Sequence, residues 1–230
     1  MNISDGANAL PSRALIVWVA LVAALITLAY ASNAAAPGAP DKDLLYRYST
    51  AVGGVIQYAL IAGVVAFAAR GVPAATLGFI RPSSWLRAGG LTVASLLAIW
   101  IAGAGLNVFL KAGEEQGLVP DEWDSSRVGP FLANFVVIAV VAPIVEETTY
   151  RGLGFAAVSD RLRPLAAIWI TALAFGLSHG FLIALPVLTL FGVILAWLRS
   201  RTDSLYPPII LHALFNGVAL IAAVTVGGGL

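Results

Sequence analysis

Two adjacent carboxylates, Glu146 and Glu147, stand at the end of the apolar run that extends from Phe135 to Val145. That run reads as a helix entering a bilayer. An ionisable side chain at the centre of a membrane helix costs about 2.5–3.5 kcal/mol on insertion scales. Two such groups need partners, a use, or both. Helical geometry separates their roles. Glu147 and Arg151 lie four residues apart on one face, with the acid on the preferred N-terminal side. Glu146 points about 100° away and has Tyr150 one turn below it. The spacing predicts a structural ion pair between Glu147 and Arg151, with Glu146 left for acid–base chemistry. On these residues alone, a buried charge cluster that only fixes helix packing explains them equally well, because structural networks also perturb ionisable groups.

The chain has two histidines, both in apolar stretches expected to be helical. His179 follows Phe175 by four residues, and His212 precedes Asn216 by four, so each pair should share a helix face. Taken singly, such a histidine is more often a satisfied core residue than a catalyst. Their coincidence with Glu146, Glu147 and Arg151 changes the odds, because these residues make up most of the strongly polar side chains in the apolar spans. Counted from a helical hairpin at residues 160–164, Glu146 and His179 lie roughly 21–23 Å along their helices, and so level. His212 lies only about 8 Å past Pro207. Either the last helix starts below the membrane surface, or the fourth and fifth helices project into the cytosol.

The elements that must hold these groups are membrane helices. Hydrophobic residues make up 60% of the 230 and charged residues only 11%, and mean hydropathy is +0.91. Soluble domains carry about 25% charge. We expect an all-α, polytopic bundle of about seven spans, with six and eight as alternatives. The spans are expected near residues 14–30, 50–69, 88–110, 131–160, 164–179, 182–198 and 207–226. The first is read as a retained anchor, although the small residues from Ala31 to Ala36 resemble a signal cleavage region. Residues 1–69 form an N-terminal pair of helices and 70–226 the core. The loop from Lys111 to Pro130 is the acidic surface.

A net charge of +1 offers no electrostatic case for nucleic acid. The lack of cysteine removes disulfides, thiolate metal sites and a cysteine nucleophile. With the N-terminus cytoplasmic, Arg13, Arg70, Arg81, Arg87, Arg161, Arg163, Arg199 and Arg201 fall inside, as the positive-inside rule asks. The expected site is a polar cavity opening to the cytoplasm between the fourth, fifth and seventh spans, faced by Thr149 and Leu211.

Glu146-Glu147-x-x-x-Arg151, Phe175-x-x-x-His179 and His212-x-x-x-Asn216, in that order, resemble the three motifs of the CPBP family. That family groups CAAX prenyl proteases of the Ras-converting type with bacteriocin-processing and immunity-associated membrane proteins. The segments Leu77 to Pro82 and Arg201 to Pro208 are similar to family members as well. The resemblance implies a membrane-embedded endopeptidase of the cell membrane, acting on a membrane-proximal peptide. In it Glu146 and His179 activate water, His212 and Asn216 stabilise the oxyanion, and Glu147, Arg151, Tyr150 and Phe175 give support.

The scheme needs no cofactor. The alternative is zinc, since one carboxylate and two histidines form a familiar ligand set. Two non-enzymatic alternatives are an immunity-type membrane protein and a small proton-coupled transporter. The motifs of other intramembrane proteases, His-Glu-x-x-His, Gly-x-Ser-Gly and Gly-x-Gly-Asp, do not occur. The expected partners are a membrane-associated peptide or protein and the lipid bilayer.

Overall fold

The structure is a computed structural model describing residues 10–35, 41–110 and 123–226. Seven helices follow one another. They are α1 (Ser12–Ala35), α2 (Tyr48–Ala68), α3 (Trp85–Leu110), α4 (residues 128–159), α5 (Pro164–Leu177), α6 (Leu185–Thr202) and α7 (Tyr206–Val226). Among the described residues, six helical segments are long and apolar enough to cross a membrane, and α5, at 14 residues, is a shorter apolar helix beside them. The bundle carries many large apolar side chains outward, among them Leu86, Ile101, Leu60 and Leu165. Contiguous exposed apolar surface on this scale suits lipid contact rather than water. Most of the acidic loop lies outside the described residues.

The main buried cluster runs from Ala14 and Trp18 of α1 to Leu211 of α7 and crosses the boundary between residues 69 and 70, with smaller clusters around Phe131 and Ala157. Small residues let helices approach where side chains would hold them apart. At Gly192 of α6 an added Cβ would lie 2.9 Å from the Ala172 Cα of α5.

Helix α4 carries the paired carboxylates and is not regular. Its α-helical turns are interrupted by π-helical stretches at Val137–Val141 and Thr148–Gly154, which bracket Ala142–Glu147. The first has a readable cause. The Ala142 N–H bonds the Val137 carbonyl, five residues back. The next bond in that register would come from residue 143, which is proline and has no N–H. The Ile138 carbonyl is thereby left for another donor.

The start of α4 is tied down from outside the helix. Asn134 Nδ2 donates to the carbonyls of Leu45 and Arg47 at 3.0 and 2.9 Å. Arg127 pairs with Asp43 and Asp124 and covers the Tyr46 ring. The Ser126 hydroxyl and Arg127 together push the Asp124 carboxyl down to about 2.

The depth of α7 follows from its first contacts. The Leu205 N–H bonds the Gly78 carbonyl at 2.8 Å, and the Leu205 side chain packs on Gly152 of α4. Gly152 lies seven residues before the end of α4, so α7 begins roughly 10 Å in from that end. Helix α7 therefore starts short of the end of α4, as both alternatives for His212 require. It brings His212 level with Glu147.

Candidate active site

Arg151 and Glu147 are both fully buried. Arg151 Nη1 donates to Glu147 Oε1 at 2.9 Å, Nη2 donates to the Gly192 carbonyl at 3.0 Å, and the guanidinium lies 4.6 Å from the Phe175 ring centre. The pairing expected from the four-residue spacing is therefore present, and it also binds α4 to α6.

The spacing did not announce a second partner of Glu147. His212 Nδ1 lies 2.9 Å from the same Oε1 atom. An ionised carboxylate only accepts, so Nδ1 carries the proton and donates. That fixes the imidazole and aims Nε2 at Glu146 Oε2, 3.8 Å away. The three groups form a line, Glu147–His212–Glu146, anchored at its buried end by Arg151. Glu147 thus orients a histidine as well as neutralising an arginine. The side chain of Glu146 keeps 16% of its surface exposed, against 4% for His212 and none for Glu147. Of the two carboxylates, Glu146 is the one a reactant can reach.

The other oxygen of Glu146 is also engaged. The Tyr58 hydroxyl of α2 donates to Glu146 Oε1 at 2.7 Å. Sequence reasoning missed this residue. A lone tyrosine in an apolar span has no motif partner and reads as an interfacial aromatic.

His179 does not sit on a helix. Helix α5 ends at Leu177, and Gly180, with φ at 77°, turns the chain away. Positive φ is cheap only for glycine, which makes it the usual residue just past a helix end. His179 still meets Phe175, because its Nδ1 bonds the Phe175 carbonyl at 2.7 Å and the ring centres lie 4.6 Å apart, the planes tilted by 58°. A carbonyl cannot donate, so Nδ1 carries the proton here too, and Nε2 is left as the acceptor. Among the described residues His179 makes no hydrogen bond to Glu146. Phe175 is the shared wall. Its ring centre is 5.8 Å from His212 and 5.4 Å from Tyr150.

Asn216 is drawn elsewhere. Its Nδ2 donates to the Ile138 carbonyl at 2.9 Å, the acceptor left over by Pro143. One amide hydrogen therefore supports the π-helical stretch of α4, and the other remains for a ligand. Thr149 and Leu211, expected to face an opening, are 1% and 0% exposed. Their backbones flank the site, but their side chains fill the core.

The donor set was tested for a metal ion. Both histidines hold Nδ1–H on an acceptor and leave Nε2 free, which is the usual posture of a zinc ligand. However, no three of the His, Asp and Glu side chains gather around one point among the described residues. Glu147, His212 and Glu146 instead form a line of contacts.

Comparison with known proteins places these residues. A family model described as type II CAAX prenyl endopeptidase, Rce1-like, matches residues 128–218. A Bacillus subtilis (strain 168) protein named YdiL, described as a candidate membrane peptidase, is 31% identical over 86 residues. That match covers 37% of this chain and 35% of YdiL, so the chain spans about a third of that relative's length. No solved structure matches the chain. Glu146, Glu147, Arg151, Phe175, His179, His212 and Asn216 all fall inside the segment of this helical membrane protein that is similar to the Rce1-like endopeptidases.

Proposed function

We propose that the protein is a membrane-embedded endopeptidase that cleaves a membrane-proximal peptide bond with an activated water. The observation that carries this reading is the line from buried Glu147 through His212 to accessible Glu146. A general base is most useful when a third group fixes its partner's orientation.

A water held between Glu146 Oε2 and His212 Nε2 gives its proton to Glu146 as its oxygen attacks the scissile carbonyl carbon. The C–N bond then breaks, and Glu146 passes the proton to the leaving amine. Stabilising the oxyanion requires donors. In neutral form His212 Nε2 has none to give, because its proton is on Nδ1. His212 therefore serves the oxyanion only when both ring nitrogens carry protons. The free amide hydrogen of Asn216 is the second donor. In this reading His179 Nε2, left as an acceptor, assists Glu146 once substrate is bound.

Glutamate chemistry without metal is preferred because Glu147, His212 and Glu146 lie in a line rather than around one point. The non-catalytic immunity-type and transporter readings lack a specific observation in their favour. The test is a screen of membrane-proteome cleavage in cells making the wild type or Glu146→Gln, both full-length. Peptides released only by the wild type support the reading and identify the substrate class. Identical cleavage patterns would end it. Activity of the purified protein should also survive phenanthroline, whereas one-to-one zinc with loss on chelation would turn the proposal to the zinc-dependent form.

A further inference from the structure

We propose that Tyr58 of α2 is a positioning residue for Glu146, so that the N-terminal helices complete a site whose motifs all lie in 128–218. The inference rests on the peptidase reading above. A glutamate side chain has three torsions, and the last is broad and nearly free. Unheld, Glu146 would present either oxygen to the reacting water in many orientations. The Tyr58 hydroxyl takes Oε1 at 2.7 Å, which leaves Oε2 as the oxygen facing His212 Nε2. Such a separation is within the range of a hydroxyl donating to an ionised carboxylate.

The packing of α2 shows how the phenol is delivered. Gly54 lies one turn before Tyr58 on the same face. A Cβ at Gly54 would stand 2.8 Å from Val137 Cγ1. Helix α2 therefore closes on α4 where the first π-helical stretch begins, and Tyr58 follows onto Glu146. The neighbours of Tyr58 along α2, Gln57 and Ala59, are exposed. Only this residue of the turn reaches inward.

The experiment compares full-length wild type, Tyr58→Phe, 3-fluorotyrosine at position 58, and Glu146→Gln in proteoliposomes. The probe is an internally quenched, farnesylated peptide with a CAAX terminus, together with any peptide found by the cleavage screen. Infrared difference spectra of wild type against Glu146→Gln isolate the Glu146 carboxylate band without any substrate.

Tyr58→Phe is expected to shift that band and to lower kcat about 10- to 100-fold, a part of what a general base contributes. KM should stay within about twofold, since the phenol is aimed at the carboxylate rather than at the substrate. The fluorinated tyrosine, which keeps the hydroxyl, should restore kcat; a merely structural role would not follow the hydroxyl in this way. An unshifted carboxylate band in Tyr58→Phe overturns the inference whether or not the probe is turned over. So does wild-type kcat in Tyr58→Phe while Glu146→Gln is inactive, an outcome that leaves the peptidase reading standing. Activity retained in Glu146→Gln refutes the reading itself.

Discussion

Arg151→Met is the perturbation whose cost can be worked most fully from the structure. Methionine nearly fills the volume, so the loss is electrostatic rather than a cavity. The substitution strands Glu147, which has no exposed surface, and removes the donor to the Gly192 carbonyl. Breaking a buried ion pair by deleting one partner costs about 3–5 kcal/mol. An orphaned buried carbonyl adds about 1–3 kcal/mol. These terms overlap, and His212 Nδ1–H remains on Glu147 at 2.9 Å. We therefore expect a net loss of about 3–5 kcal/mol, or some 6–20 °C in melting temperature for a chain of this size.

The companion is Arg151→Met with Glu147→Leu. Replacing both members of a buried pair by apolar groups is often neutral or stabilising. The double variant should regain most of the stability and stay inactive, because His212 has lost the acceptor that orients it. Equilibrium unfolding in mixed detergent micelles and the cleavage assay read the two halves separately. An Arg151→Met loss below about 1 kcal/mol, against the 3–5 expected, would refute the ion-pair account. A double variant no more stable than the single would do the same.

Three further outcomes follow from particular contacts. Asn216→Ala should cost about 1–3 kcal/mol by orphaning the Ile138 carbonyl. The cost should shrink when Pro143→Ala supplies the missing N–H, and additivity of the two changes in unfolding measurements would rule out their coupling. Gly192→Ala should cost about 1–3 kcal/mol by forcing α5 and α6 apart, seen as a lower melting temperature; an unchanged value would mean that the contact relaxes freely. In this cysteine-free chain, cysteine at exposed Leu162 should react with a membrane-impermeant thiol reagent from the cytoplasmic side alone, and reaction from outside only would invert the orientation argued from charge.

The helices were legible because uninterrupted apolar runs of span length leave few other structures open to a chain in lipid. The Glu147–Arg151 pair was legible because both partners sit on one element, where spacing alone sets distance. Contacts between elements were not. His212 on Glu147, Tyr58 on Glu146 and Asn216 on Ile138 each join residues more than sixty positions apart. No periodicity within one helix encodes such a pairing. Two local signals could have sharpened the reading. Gly180 beside His179 marked the end of α5, which separates that histidine from the helix. Pro143, amid an otherwise regular run, announced a carbonyl in search of a donor. The depth of α7 depended on the Leu205–Gly152 contact, which only the packed bundle displays.

The central claim is that Glu146, and not the buried pair behind it, carries the chemistry. The most direct measurement pairs the cleavage rate with the melting temperature of purified Glu146→Gln. Glu146 is partly exposed and outside the Arg151 ion pair, so melting should stay within a few degrees of the wild type. The rate should fall at least 100-fold, the lower range of a general base's contribution. A Glu146→Gln protein that cleaves within a fewfold of wild type would contradict the account.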